Sequence, residues 1–304
     1  MNNIIFGPVT SRRFGKSLGI DLSPSKKQCN FDCLYCELEG SKPVNSMDDA
    51  VDVELVIAEL KKALVRYKDI DVITITANGE PTLYPCLDRL VDEINLIKQS
   101  HKLLILSNSA NITKKNIRQT LSKIDIVKLS LDCISPECFR KIDRPLKSID
   151  INDIVNALKE FRKTYKGSLI IEILVVKGIN DKSVEFEKLN KILQEIKPDR
   201  IDVGTIDRPP AYRVEGVSMG RLKELSAILE GLHVSIAYKK DYKGKKLDFS
   251  EKEILNLLKK RPQSFSDIES MFSDKSKNIL ESLYQSGVVT IKEVAGVKFY
   301  GTGG

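Results

Sequence analysis

The chain has 304 residues, 41% of them apolar and 30% charged, with a formal net charge of +7. This composition sustains a folded core in one large domain, or one large and one small, and excludes a low-complexity or disordered chain. No apolar run reaches the roughly 18 residues that span a membrane, and the start "MNNIIFGPVTSRR" carries no secretory signal, so the expectation is a cytoplasmic protein without membrane partners and with reduced thiols.

In chain order, short β-branched runs alternate with amphipathic runs. "SLGIDL" (17–22) reads as a strand, and "VELVIAELKKALVRY" (53–67) places apolar residues at helical spacing. "DVITIT" (71–76) is followed by a helix through "LDRLVDEINLIKQ", "KLLIL" (102–106) by a helix near 113–121, and "DIVKLSL" (125–131) by "INDIVNALKEFRKTY". "LIIEILVV" (169–176) precedes "VEFEKLNKILQEI", "RIDVGTI" (200–206) precedes "MGRLKELSAILEGL", and "HVSIAY" closes the series as a last strand. Six β-then-α units predict an α/β fold with parallel strands joined by right-handed crossovers. They are too few for a closed eight-stranded barrel. An open partial (β/α)6 barrel or a doubly wound sheet remains, and in either the loops after the strands' carboxyl ends build the site.

The pattern changes near residue 241. "DYKGKK" reads as a linker dividing residues 1–240 from 241–304. "SEKEILNLLKK", "SFSDIESMF" and "DKSKNILESLYQSG" then read as three helices, with Ser250, Ser264 and Ser273 as N-caps and Gly287 as a stop. "VVTIKEVAGVKFY" reads as a hairpin turning near Ala295-Gly296. Three helices and a two-stranded wing predict a small C-terminal winged-helix domain.

Three of the six cysteines, Cys29, Cys33 and Cys36, fall in "CNFDCLYCELEG" (29–40), spaced C-x3-C-x2-C. Structural zinc takes four Cys or His ligands. Here a second half-site is missing, because His101 and His233 are isolated and Cys86, Cys133 and Cys138 form no C-x2-C pair. An iron–sulfur cubane is held by thiolates. Three of its corners suit this loop, and its fourth iron stays open to a ligand's amine and carboxylate. Cys133 and Cys138, which flank "ISPE", are expected to be buried free thiols.

C-x3-C-x2-C in a loop after the first strand of a partial barrel resembles the signature of the radical S-adenosylmethionine (SAM) enzymes. The resemblance implies a partial (β/α)6 barrel, a 4Fe–4S cluster on Cys29, Cys33 and Cys36, and SAM on the open iron with Tyr35 against its adenine. "TITANGEPTLYP" resembles the family's glycine-glycine-glutamate motif as Asn78-Gly79-Glu80, with Asn78 in place of the first glycine. By that resemblance Glu80 accepts from the methionyl ammonium and Gly79 lets the backbone approach the ligand. Asn108 in "ILSNSANI" and Ser130 and Asp132 in "KLSLD" stand at the next strand ends, the latter two where the family places polar groups against the ribose. "FGPVTSRRFGKSLGIDL", "NGEPTLYP", "FRKIDRP" and "VVKGIND" extend the likeness, over about residues 4–215, to the subgroup related to wyosine synthases, which build a tricyclic base on tRNA. Those enzymes carry a second cluster on upstream cysteines. No cysteine precedes Cys29 here, so what carries over is the radical-generating core. In the family, one electron from the reduced cluster cleaves SAM to methionine and a 5′-deoxyadenosyl radical that abstracts hydrogen. An electron donor such as flavodoxin or ferredoxin is implied.

A tRNA base is the substrate this likeness points to, and a peptide or small metabolite is the alternative. A cluster-bearing redox regulator that binds DNA is the reading from another class, and Glu80 and the strand-end motifs count against it. No residue stands out as catalytic. Arg12, Arg13, Arg144 and Arg208 are candidates for a phosphate or carboxylate site, with solvated surface positions as the alternative. Lys177 reads as a solvated lysine. Residues 241–304 hold eleven Lys and Arg against nine Asp and Glu, too even for a DNA-reading face, so docking to RNA or protein, or a lid beside the barrel, is expected of them.

Overall fold

The computed structural model of the chain describes residues 4–11, 13–76, 78–236, 246–294 and 297–302. Arg12, the end of "HVSIAY", most of the linker and the Ala295-Gly296 turn lie outside the described residues. The fold begins with an antiparallel hairpin of β1 (Ile5–Ser11) and β2 (Gly15–Asp21). There follow α1 (Val53–Arg66), β3 (Val72–Thr76), α2 (Leu87–Ile97), β4 (Lys102–Ser107), α3 (Lys115–Leu121) and β5 (Ile126–Ser130). Then come α4 (Pro136–Ile142), α5 (Ile151–Thr164), β6 (Ser168–Val175), α6 (Ser183–Ile196), β7 (Arg200–Thr205), α7 (Met219–Ala227) and β8 (Val234–Ile236). These eight strands form one sheet in chain order, parallel from β2 to β8. The six anticipated units are present, and β1 and α4 are additions to them.

Alternation along the strands separates two faces. Ile73, Ile75, Leu103, Ile105, Val127, Leu129, Ile171 and Ile173 join the helices' buried stripes in the main core. On α1 that stripe is Val53, Val56, Ile57, Leu60 and Ala63, at helical spacing. The intervening Val72, Leu104, Ile126 and Ile170 form a separate small cluster with Phe14 on the other face. The sheet curls strongly. Arg13, in the β1–β2 turn, reaches Asp202 on β7 at 3.2 Å although five strand spacings separate β2 from β7 along the sheet. An open barrel is the geometry that permits this contact, and the Phe14 cluster is the floor of its lumen.

The C-terminal residues form α8 (Glu251–Lys260), β9 (Gln263–Ser264), α9 (Phe265–Met271), α10 (Asp274–Gln285), β10 (Val289–Val294) and β11 (Val297–Thr302), the strands pairing in the order β10-β11-β9. The anticipated caps hold: Ser264 Oγ accepts from Asp267 N at 3.2 Å, Ser273 Oγ from Ser276 N at 3.3 Å, and Ser250 N donates to Glu253 Oε2 at 2.8 Å. Gly287 adopts a φ of +78°, the left-handed stop a glycine permits. Phe249, Ile254, Leu257, Ile268, Phe272 and Leu280 make the core of this unit, and Val9 of β1 completes it. The hairpin is thus shared between the two cores.

Candidate active site

The cysteine loop runs from the carboxyl end of β2 and is clamped on two sides. On one side it pairs with the segment after β3: Gln28 N donates to Asn78 O at 2.9 Å, and Glu80 N to Gln28 O at 2.9 Å. Gly79 has a φ of +135°, and a Cβ there would stand 1.9 Å from the Gln28 carbonyl oxygen. The glycine was expected to admit a ligand to the backbone. What it admits in this structure is the strand-like backbone of Gln28. On the other side, Asp32 N donates to Asp143 O at 3.1 Å and Leu34 N to Ile142 O at 2.9 Å, at the end of α4, with Phe31 edge-on to Phe139.

The three thiols each have a defined neighbour. Cys29 Sγ is buried and accepts from Asn108 Nδ2 at 3.5 Å and Phe31 N at 3.4 Å. Cys36 Sγ accepts from Lys27 Nζ at 3.5 Å, and the Cys33 thiol faces Asp143 Oδ1 at 3.4 Å. Burial, reinforced by Glu80, pushes the Cys29 thiol up to about 12, and burial with Asp143 raises Cys33 well above its ordinary value. Metal ligation needs these thiols as thiolates, and the cation it brings offsets the burial and the neighbouring carboxylates that disfavour ionisation.

Glu80 is fully buried at the end of this clamp. Its Oε1 accepts from Thr82 N at 2.9 Å, Thr82 Oγ1 at 2.5 Å and Ser107 Oγ at 2.7 Å, and its Oε2 from Asn108 N at 2.8 Å. Burial raises its pKa, and those donors oppose the rise. Oε2 keeps acceptor capacity for one more donor. Asn108 also donates to Asn30 Oδ1 at 2.7 Å, so one residue links Glu80, Cys29 and the Asn30 side chain of the loop. Asn78 N donates to Asp21 Oδ1 at 2.8 Å.

Tyr35 and Asp132 meet each other. The Tyr35 hydroxyl donates to Asp132 Oδ2 at 2.5 Å and lies 3.4 Å from Asp143 Oδ1, while Asp132 Oδ1 accepts from Leu174 N at 2.7 Å. Burial raises both carboxyls, Asp132 to about 7 and Asp143 well above its ordinary value, the latter also through the charge of Asp132. Ser130 is half-buried at the end of β5, with its carbonyl accepting from Ser109 Oγ at 2.6 Å. Asn30, Ser107 and Asp143 belong to this arrangement and were not anticipated. Asp143 lies in "FRKIDRP", a segment whose likeness was noted without a role for its acid.

The sequence model of the radical SAM superfamily matches residues 24–189. A UPF0026 protein of Helicobacter pylori (strain J99) is 42% identical over 299 residues, covering 98% of this chain and 97% of that one. The chain belongs to the radical SAM superfamily. Among solved structures, a radical SAM methyltransferase from Sphaerobacter thermophilus aligns with a TM-score of 0.59 at 15% identity, over 75% of this chain and 67% of that one. TYW1 with a lysine-pyruvate adduct bound aligns with a TM-score of 0.53 at 19% identity, over 81% and 80%. These two likenesses concern the fold. The protein is a radical SAM enzyme, and its cofactors are a 4Fe–4S cluster and SAM.

The residues of this radical SAM enzyme fit that cluster. A tetrahedral zinc with Zn–S bonds of ~2.3 Å holds its sulfurs about 3.8 Å apart. Among the described residues, the one trio of ligand atoms within 4.8 Å is Cys133, Cys138 and Glu185. Cys29, Cys33 and Cys36 are not such a trio; as free cysteines of one loop they offer the thiolates that hold an iron–sulfur cluster.

The expectation for Cys133 and Cys138 is corrected. They form a disulfide, with Cα atoms 5.8 Å apart. The physical cause is local: the chain leaves β5 and turns straight into α4, which folds the second thiol back onto the first. Glu185 on α6 fixes that turn, accepting from Ile134 N at 2.6 Å and Ser135 N at 2.8 Å. Cys86 is exposed.

The remaining candidates divide. Lys177 is exposed and pairs with Glu215 at 2.7 Å. Arg144 pairs with Asp32 at 3.0 Å and stacks over Tyr212. Arg208 is buried between the cysteine loop and the C-terminal unit, with Glu37 Oε1 at 3.7 Å, Asp267 Oδ2 at 3.2 Å and the Pro262 carbonyl as partners. Lys260 of α8 pairs with buried Asp21, the acceptor of Asn78 N. Two cations therefore tie the C-terminal unit to the segments that frame the cluster loop. Arg13 stands in the lumen.

Proposed function

We propose that this radical SAM enzyme modifies a base of tRNA by hydrogen abstraction. The observation that carries the radical step is the loop of Cys29, Cys33 and Cys36 clamped against Asn78-Gly79-Glu80. Held by Cys29, Cys33 and Cys36, the cluster would supply the electron for reductive cleavage of SAM. The protein's part is to hold and orient. Cys29, Cys33 and Cys36 hold the cluster. Glu80 Oε2, fixed by Asn108, is the acceptor for the methionyl ammonium of SAM.

Support for RNA is the likeness of "NGEPTLYP" and "VVKGIND" to the wyosine-synthase subgroup. The C-terminal unit, read as a winged helix of nearly balanced charge, serves as an RNA-docking element beside the mouth. Comparing the modified nucleosides of tRNA from wild-type and deletion strains tests this. The expected result is one nucleoside absent from the deletion strain and restored by the gene. Identical nucleoside profiles contradict the tRNA assignment and turn the search to peptides and small metabolites.

A further inference from the structure

Above the apolar floor, the lumen carries a set of charges that the cofactor site does not use. Asp202 on β7 is fully buried and meets Arg200 Nε at 2.8 Å, Arg13 Nε at 3.2 Å and Lys128 Nζ at 3.4 Å. Glu172 Oε1 on β6 meets Lys128 Nζ at 2.6 Å and Arg13 Nη1 at 3.5 Å. Among the described residues, three cations thus face two carboxylates, which leaves one positive charge in excess. Low-dielectric walls magnify such an excess.

The excess has a direction. Arg13 Nη2 is buried and hydrogen-bonds to no described residue, and an unmatched buried donor is costly. Beside it the wall is bare: among the described residues, a Cβ built on Gly204 would meet only that nitrogen, at 3.8 Å. Leu106, in register with Lys128, is 36% exposed, and the Glu172 side chain 33% exposed, so the lumen is open at this height. A purely structural ion-pair network would pair its charges and fill this space.

We propose that Arg13, with Lys128 beside it, binds an anionic group of the substrate, a carboxylate or a phosphate, in the space next to Gly204. A guanidinium edge suits such an oxyanion. Assigning the anion to the substrate rests on the radical reading above; the anion site itself rests on charge and geometry alone. Bound there, the anion lies on the floor side of the cofactor loops.

Thermal unfolding of the reconstituted full chain tests the site, with inorganic phosphate or acetate titrated against chloride at constant ionic strength. A ligand of the native state raises the midpoint beyond any effect of chloride, by an amount that grows with the logarithm of its concentration above the dissociation constant. The wild type is expected to show such a rise. Gly204→Val fills the space and is expected to weaken the anion roughly tenfold or more, the value of a lost charge-assisted pair. Glu172→Gln removes a competing carboxylate and is expected to tighten it, which a variant that merely folds poorly does not do. A rise over chloride with phosphate alone assigns the site to phosphate esters, and with acetate alone to carboxylates. No rise over chloride in the wild type, or the same rise in all three proteins, overturns the proposal. Formation of 5′-deoxyadenosine by the wild type is scored separately, so a failed anion site and a failed radical reading are told apart.

Discussion

A methyl group at Gly79 has no room: it meets the Gln28 carbonyl at 1.9 Å, and the φ of +135° is one that side chains avoid. Gly79→Ala is expected to destabilise the protein by at least the roughly 1–3 kcal/mol of a strained backbone position and to lower its iron content after reconstitution. Wild-type values in both denaturant titration and iron assay contradict the clamp. Glu80→Gln keeps the shape but presents an amide to donors from Thr82, Ser107 and Asn108. The mismatch costs about 1–3 kcal/mol per unsatisfied donor, and SAM binding by equilibrium dialysis is expected to weaken at least tenfold. Unchanged binding removes Glu80 from the cofactor site. At this scale the cysteines and Glu80 were legible because their spacing is the signal. Asn30, Asp143 and Lys27 carry no spacing, and their roles come from contacts made only once the loop is folded.

Helix α8 enters the barrel through Lys260, whose ammonium pairs with the buried carboxylate of Asp21. Burial lowers the Lys260 pKa, and Asp21 opposes that. Lys260→Met strands Asp21 in the interior, at an expected cost of about 3–5 kcal/mol. Adding Asp21→Asn is expected to restore part of it. Strictly additive losses in the double-mutant cycle contradict the pairing. In the loop before α4, alkylation of unfolded but unreduced protein is expected to block four cysteines, and six after reduction. Six blocked in both cases contradicts the Cys133–Cys138 disulfide. Most elements were readable, because buried parallel strands and amphipathic helices have strong periods. Strand β1 was not, since Gly7-Pro8 interrupts its alternation. Helix α4 is a seven-residue segment with two fully apolar core positions, Phe139 and Ile142, too short for a period to emerge.

The whole molecule is an open barrel whose two rims do different work. The floor, capped by Phe14, carries the charged lumen, and the mouth carries the clamped cysteine loop. Sequence pattern anticipated the barrel but not the way its C-terminal unit leans on it. Arg208 reads as a surface or substrate-binding arginine in a linear sequence, and becomes a buried bridge only because the loop after β7 meets both Glu37 and Asp267. In the proposed reaction, three cysteines on one loop hold the cluster that cleaves SAM. Anaerobic reconstitution of the full chain, followed by addition of SAM and dithionite, measures it directly. The wild type is expected to bind iron and sulfide as one 4Fe–4S cluster and to form 5′-deoxyadenosine. The variant with Cys29→Ala, Cys33→Ala and Cys36→Ala is expected to fold and do neither. A variant that keeps its iron and still cleaves SAM, or a fully loaded wild type that forms no 5′-deoxyadenosine, contradicts the account.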